Sequence, residues 1–223
     1  MDKQLARAIR VAVRHTQTPT EDELRTIEKL HVLRARDLSG LESCTSMRHL
    51  VLSGCDPVSL QSLTGMRDLE VATVEYCGLR RLDGVEELSD SFLYLKAPNN
   101  SIEDLSPLLD CPGLNRLEVQ GNPLSEHSYL EILPRLRARG VQVFASGMRE
   151  WRLTRRLHEI GLPFSYYHSD EGHQLCRPGL SYTDFPATGH PIIDPDDLER
   201  LIDAEPTRIH ELFAQEELMF ALP

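Results

Sequence analysis

The residues best suited to chemistry in this sequence are three histidines and a cysteine in its C-terminal third. His168, His173, Cys176 and His190 are residue types that bind zinc, and the first three follow the spacing H-x4-H-x2-C. This spacing is loose and includes a single cysteine, whereas scattered histidines in a turn-rich segment are more often polar surface. We therefore expect no metal site and no cofactor.

Two other arrangements could carry chemistry. Cys176 with a neighbouring histidine could act as a nucleophile and its base, but no local signature supports this, and a lone cysteine in a strand is usually packed inside. The acids Asp194, Asp196, Asp197 and Glu199 lack the glycine turn of a calcium loop, and they suit the start of a helix. The motifs of phosphate loops, dinucleotide-binding folds, zinc proteases and esterases do not occur. We predict no catalytic residue and no enzyme.

The charge balance limits the class of partner. The 223 residues include 24 Lys and Arg against 35 Asp and Glu, which gives a formal net charge of −11. Nucleic acids and anionic membranes favour clustered positive charge, so we expect neither as a partner. The sequence holds no long uncharged apolar run, and its N-terminal residues do not resemble a secretory signal. Five widely spaced cysteines, an odd number, indicate a reducing compartment, and we predict a cytoplasmic protein.

An internal repeat is the strongest pattern in the chain. Residues 114–124 follow the pattern L-x-x-L-x-L-x-x-N-x-L, with Val119 at the third leucine position. The same frame recurs along the chain, with anchors at positions 30, 50, 72, 95, 117 and 141. The alternation Leu117-x-Val119 predicts a short strand in each copy. Apolar residues at steps of three after each turn predict a 3-10 or extended return segment. Extra residues before Leu38 and Val58 predict irregular coils there.

This pattern resembles the leucine-rich repeat family, in its short bacterial, internalin-like type, over residues 20–145. The resemblance implies an α/β solenoid with parallel strands on a concave face and 3-10 or irregular segments on the convex side. Asn100 and Asn122 can bond the backbone of adjacent coils through their side-chain amides. Cys55 and Cys77 occupy the same position in their copies and are expected to be buried thiols.

The chain is expected to have three parts: an N-terminal helical cap over residues 1–26, the solenoid over 27–147, and a small α+β appendage over 148–223. The capping-box pattern from Thr20 to Glu23 predicts a short helix in the cap. In the appendage we expect a helix from Trp151, a hairpin turning at residues 170–172, and a further helix after Asp194. We expect the appendage to dock on the last coil.

The outward-pointing strand residues would form the concave face, which is the usual binding surface of the family. We expect Tyr94, beside Val71 and Val51, to be an anchor within a charged rim, because Tyr and Arg dominate protein interfaces. The predicted partner-binding residues are Lys29, His31, His49, Val51, Val71, Thr73, Glu75, Tyr94, Lys96, Arg116, Glu118 and Gln120.

These features predict a non-enzymatic module that binds an unidentified partner protein on its concave face. One version is an immunity- or antitoxin-like inhibitor, whose acidic surface would cover a basic partner. The alternative is that residues 148–223 form a small catalytic or ligand-binding domain and the repeats recruit its substrate. That alternative requires a deep polar pocket lined by His168, His173 or Cys176. Self-association through a strand edge is a third possibility.

Overall fold

The computed structural model describes residues 1–56, 59–88 and 91–214. Within them, six successive strands form one parallel sheet in chain order. The register aligns Leu30, Leu50, Ala72, Leu95 and Leu117 across neighbouring strands, and all five are buried. The predicted α/β repeat fold is therefore confirmed. The strands are β1 (Lys29–Leu33), β2 (His49–Ser53), β3 (Val71–Glu75), β4 (Tyr94–Lys96), β5 (Arg116–Glu118) and β6 (Gln142–Phe144).

The return segments between the strands are short 3-10 helices. They cover Leu41–Ser43, Gln61–Leu63, Val85–Glu87 and Ser106–Asp110. Because a 3-10 helix has three residues per turn, apolar side chains at steps of three all face the core, as predicted. After β5, a π-helical turn at Ser128–Ile132 leads into α3 (Leu133–Ala138). Irregular coil was predicted near Leu38, and residues 34–40 indeed form bends and a turn. The second position predicted to be irregular, Val58, lies outside the described residues.

Two helices precede the first strand, α1 (Lys3–Val13) and α2 (Glu21–Arg25). The predicted capping box opens α2, because the backbone N–H of Glu23 donates to the Thr20 hydroxyl at 3.3 Å and the backbone N–H of Thr20 donates to the Glu23 carboxylate at 2.8 Å. Leu5 and Ile9 of α1 are fully buried in the same core as the coils. The helix α1 therefore covers the apolar edge beside β1.

The C-terminal part consists of α4 (Met148–Glu159), the antiparallel hairpin β7 (Ser165–Ser169) and β8 (Gly172–Cys176), α5 (Pro195–Ala204), and a 3-10 helix over Pro206–Phe213. The expected hairpin and helices are present, and Asp194 caps α5 by accepting from the backbone of Asp196. Trp151 of α4 packs into the core of the coils, whereas Leu153 packs into a second core. The helix α4 therefore joins the two cores.

The C-terminal part was expected to dock on the last coil, but it also contacts earlier coils. Residues 177–190 run back along the turns that follow the strands, as far as the first coil. Arg36 donates to the carbonyl of Leu180 at 3.2 Å and pairs with Asp184 at 2.8 Å. The backbone N–H of Gly179 donates to the carbonyl of Tyr76 at 3.0 Å. These contacts tie separate coils together from one edge. No helix in the described ranges has the length and apolar character to cross a membrane.

Candidate protein-binding face

The predicted partner-binding residues lie on the side of the sheet that faces away from the core, which we call the outward face. They are exposed or half-buried, while the strand residues between them are buried. One row across the sheet is Lys29, His49, Val71, Tyr94 and Arg116, and the next is His31, Val51, Thr73, Lys96 and Glu118. Glu75 ends β3, and Gln120 follows β5. The structure therefore brings all of these residues onto one surface.

Four side chains of β4, β5 and β6 form an aromatic–arginine cluster on this face. The guanidinium carbon of Arg116 lies 5.0 Å from the ring centroids of both Tyr94 and Phe144. Arg116 Nη2 donates to Glu118 Oε1 at 2.6 Å, and the hydroxyl of Tyr94 donates to the same oxygen at 2.7 Å. The cation is thus held between two rings and oriented by one carboxylate.

The electrostatics of the cluster fix its charge state near neutral pH. Burial, together with the hydrogen bond to Glu118, raises the pKa of Tyr94 to about 12. Partial burial acts to raise the pKa of Glu118, but the hydrogen bonds from Tyr94 and Arg116 outweigh it and leave that pKa below its ordinary value. The cluster therefore presents a neutral phenol and a paired carboxylate. That arrangement suits a binding anchor, whereas a general acid or base needs a pKa near the working pH.

Phe144 belongs to this cluster although it is not one of the predicted partner-binding residues. It pairs with Glu118 in the register of β5 and β6, and its side chain is 43% exposed. The sequence contains a signal that could have identified Phe144. The alternation of side chains along a strand that places Glu118 outward on β5 also places Phe144 outward on β6.

A groove at the other end of the face was also missed. It has a volume of about 630 Å³ and lies between α1 and the first two strands. The sequence predicts only the core-facing side of α1, whereas the other side of this helix forms one wall of the groove. We call this the α1 groove; it is lined by Gln4, Arg7, Ala8, Val11, Ala12, Lys29, Leu30, His31, Leu33, Arg34, His49 and Val51.

The candidate zinc ligands do not converge. The rings of His168 and His173 lie 4.7 Å apart, and His173 Nε2 is 3.0 Å from a carboxylate oxygen of Glu150. Cys176, however, is buried in the interior, and Nδ1 of His190 is 2.6 Å from the hydroxyl of Tyr167. Across residues 1–56, 59–88 and 91–214, no three metal-binding side chains form a group that could hold an ion.

The cavity beside the hairpin differs from the pocket that the catalytic alternative expects. A cavity of about 570 Å³ does lie beside the hairpin, but Tyr76, Tyr167, Gln174 and His190 line it, together with residues 169–171 and 187–189. His168, His173 and Cys176 are not among its lining residues. Burial lowers the pKa of His190 and raises the pKa of Tyr167, so both groups are neutral near pH 7.

A hydrogen-bonded column at the turns links each coil to the one before it. Nδ2 of Asn100 donates to the carbonyl of Val74 at 2.7 Å, and Nδ2 of Asn122 donates to the carbonyl of Ala97 at 2.8 Å. Cys55 and Cys77 hold the same position earlier in the chain as buried thiols. The chain has a leucine-rich repeat fold. In a leucine-rich repeat these two asparagines and two cysteines occupy one equivalent position in successive coils, as the sequence predicts.

Several solved structures match parts of this chain at low sequence identity. Internalin C2 from Listeria monocytogenes is 16% identical over 65% of this chain and 93% of that chain, with a TM-score of 0.33. Internalin F from the same organism is 20% identical over 69% of this chain and 53% of that chain, with a TM-score of 0.44. A structure of ZmpB from Clostridium perfringens, with 20% identity and a TM-score of 0.33, matches over 35% of this chain and 17% of that chain.

The present chain therefore spans about half of the internalin F chain and less than a fifth of the ZmpB chain. No protein-family model matches the sequence, and no curated protein does. The predicted resemblance to internalin-like leucine-rich repeat proteins is confirmed for the fold, since the parallel register and the turn column are both present.

Proposed function

We propose that this protein is a non-enzymatic interaction module that binds a partner protein through the outward face of its sheet. The aromatic–arginine cluster is the observation that carries the proposal. Tyrosine and arginine are the residue types that contribute most at protein interfaces, and here they are half-exposed on β4 and β5 of a regular sheet. Strands hold these side chains in place before binding, so that little conformational entropy is lost on association.

In this proposal the sheet is the concave side of a solenoid over residues 27–147. Residues 1–26 are a cap, which agrees with the burial of Leu5 and Ile9 against the first coil. Residues 148–223 are an appendage, whose described residues, 148–214, brace the coils and leave the outward face open. Terminal caps are needed in repeat proteins because the end coils would otherwise expose their apolar side.

The cluster is suited to recognition because its polar groups are already paired. Arg116 is oriented by Glu118 and flanked by two rings, so that a partner meets a flat cation-and-aromatic surface with few unpaired charges to desolvate. Lys96 adds a second paired cation nearby, 3.0 Å from the carboxylate of Glu75. Charges at the rim of such a surface set orientation and association rate more than affinity.

A more specific form of this proposal is that the protein is a cytoplasmic inhibitor, like an immunity protein or an antitoxin, that binds a basic partner. The net charge of −11 supports it, because an acidic protein is steered towards a basic surface. Its partner would be a protein whose positive site is covered on binding.

The double substitution Tyr94→Ala/Arg116→Ala tests the proposal by pull-down from the native lysate. We expect the variant to lose the partner captured by the wild-type chain, since it removes the guanidinium of Arg116 and the ring of Tyr94 that lies beside it. The variant Arg137→Ala, on the exposed side of α3, is the matched control and should retain the partner. Circular dichroism would establish that both variants are folded. An unchanged set of captured proteins would contradict binding at this face.

A further inference from the structure

The α1 groove carries a charge opposite to that of the chain as a whole. Its lining residues include Arg7, Lys29 and Arg34, with His31 and His49 beside them, and none of them is an aspartate or a glutamate. The chain has a net charge of −11. Glu70, which is not a lining residue, pairs with His49 at 3.5 Å. No carboxylate of the lining offsets Arg7, Lys29 and Arg34, so the local potential around these cations favours negative groups.

The cations of the groove also differ from those at the other end of the outward face. There, Lys96 pairs with Glu75 and Arg116 pairs with Glu118. Arg7 and Lys29, by contrast, make no ion pair with any residue in the described part of the chain, and both are exposed. Their full charge is therefore available to a ligand.

Apolar side chains lie between these cations. Val11 of α1 is 73% exposed and Leu33 at the end of β1 is 48% exposed, and the half-buried Val51 lies beside them in the groove. Burying such side chains on binding is favourable by about 25 cal/mol for each Å² removed from water. A purely polar anion such as a phosphate could not use this part of the groove.

We propose that the α1 groove binds a peptide segment of a partner protein in which carboxylates flank apolar side chains. This inference rests on the proposed function, because the groove shares the outward face, and it adds the chemistry of one part of the partner. The partner then has at least one acidic segment, even where its main contact surface is basic. The carboxylates would pair with Arg7 and Lys29, while the apolar side chains would cover Val11 and Leu33.

The test is selection of peptides from a phage-displayed library of random dodecamers on the immobilised full chain. We expect the selected peptides to be enriched in Asp and Glu beside Leu, Ile, Val or Phe. The variant Arg7→Glu/Lys29→Glu should weaken their binding by about tenfold, because two attractive pairs become repulsive. The variant Lys3→Glu/Arg10→Glu makes the same change of charge on exposed residues of α1 outside the groove, and it should bind as wild type.

Three results would overturn the inference. The first is a selected set without acidic enrichment. The second is equal binding to the Arg7→Glu/Lys29→Glu variant and to its control. The third is concentration-dependent dimerisation, measured by light scattering, that only the Arg7→Glu/Lys29→Glu variant abolishes, because it would assign the groove to a second copy. If Tyr94→Ala/Arg116→Ala loses the lysate partner while any of these results holds, the proposed function stands and the inference about the groove fails.

Discussion

The side-chain amide of Asn100 donates a hydrogen bond of 2.7 Å to the backbone carbonyl of Val74, which belongs to the preceding coil. Oδ1 of the same side chain accepts from the backbone N–H groups of Cys77 at 3.0 Å and Leu79 at 3.1 Å. One buried side chain therefore satisfies three backbone groups of a neighbouring coil. Unpaired buried backbone groups are costly, so this residue stabilises the stack more than its size suggests.

Asn100→Ala is expected to reduce the free energy of unfolding by roughly 2–4 kcal/mol, since it leaves these buried groups without their partner. Urea unfolding followed by circular dichroism measures the change. The matched control is Asn115→Ala, at an exposed position before β5, which should stay within about 0.5 kcal/mol of wild type. Similar losses for the two variants would show that the bonds of Asn100 are energetically unimportant.

The close approach of residues 177–190 to the coils depends on a glycine. Gly179 has a φ of +92°, and a Cβ at this position would lie 3.4 Å from the carbonyl oxygen of Cys77. Gly179→Ala should therefore destabilise the protein by about 1–2 kcal/mol, which is the usual cost of a left-handed conformation for an L-residue. Gly65→Ala provides the control, because it adds a methyl group with nothing within 4 Å and requires no positive φ.

Unfolding in urea and limited proteolysis should both distinguish these two glycine variants. Gly179→Ala is expected to have the lower unfolding midpoint and faster cleavage within residues 177–190. Identical midpoints and cleavage rates would mean that this segment does not brace the coils.

The ion pair of Glu118 should make stability depend on pH. Its folded pKa lies below the value of about 4.3 expected in the unfolded chain, so its contribution is complete above that pH and is lost as the pH falls through the folded pKa. The difference in unfolding free energy between wild type and Glu118→Gln should be largest near neutral pH and should shrink below about pH 4. Glu103→Gln, which removes an exposed carboxylate without an ion pair in the described ranges, is the control. If the difference in unfolding free energy between wild type and Glu118→Gln did not change with pH, the stabilising ion pair of Glu118 would be contradicted.

His158 is expected to stay neutral well into the acidic range. Burial, with a smaller effect of the charge of Arg80, lowers its pKa to about 4. Titration of its ring protons by NMR should show a midpoint near 4, and Arg80→Ala should raise that midpoint because it removes a like charge.

The same histidine should also contribute to acid sensitivity. Because its folded pKa lies below the unfolded value of about 6.5, protons bind the unfolded chain preferentially, and stability falls as the pH drops from about 6.5 towards 4. His158→Gln should flatten this part of the pH profile of the unfolding free energy. An unaltered slope in the variant would exclude His158 as its source.

Much of the repeat could be predicted because its information is local and recurs along the chain. The register places Leu50 opposite Ala72, Ala72 opposite Leu95 and Leu95 opposite Leu117, because each copy has its apolar residue in the same phase. The same phase gave the outward row that contains Tyr94 and Arg116. The cluster itself could not be predicted, since the position of the guanidinium between two rings depends on side-chain packing across three strands.

The sequence by itself determined the period, the register of β1 to β5 and the turn column, because each follows from residue types repeated every 20 to 23 positions. For β6 the predicted anchor at position 141 was wrong, since Leu117 pairs with Val143. Only the tertiary structure decided the path of residues 177–190 and the presence of the α1 groove. Arg36 pairs with Asp184, which is 148 positions away, and Val11, on a helix outside the repeat, lines the same groove as Leu33 and Val51. These segments share no periodic pattern in the sequence. Their proximity therefore follows only from the packing of the folded chain.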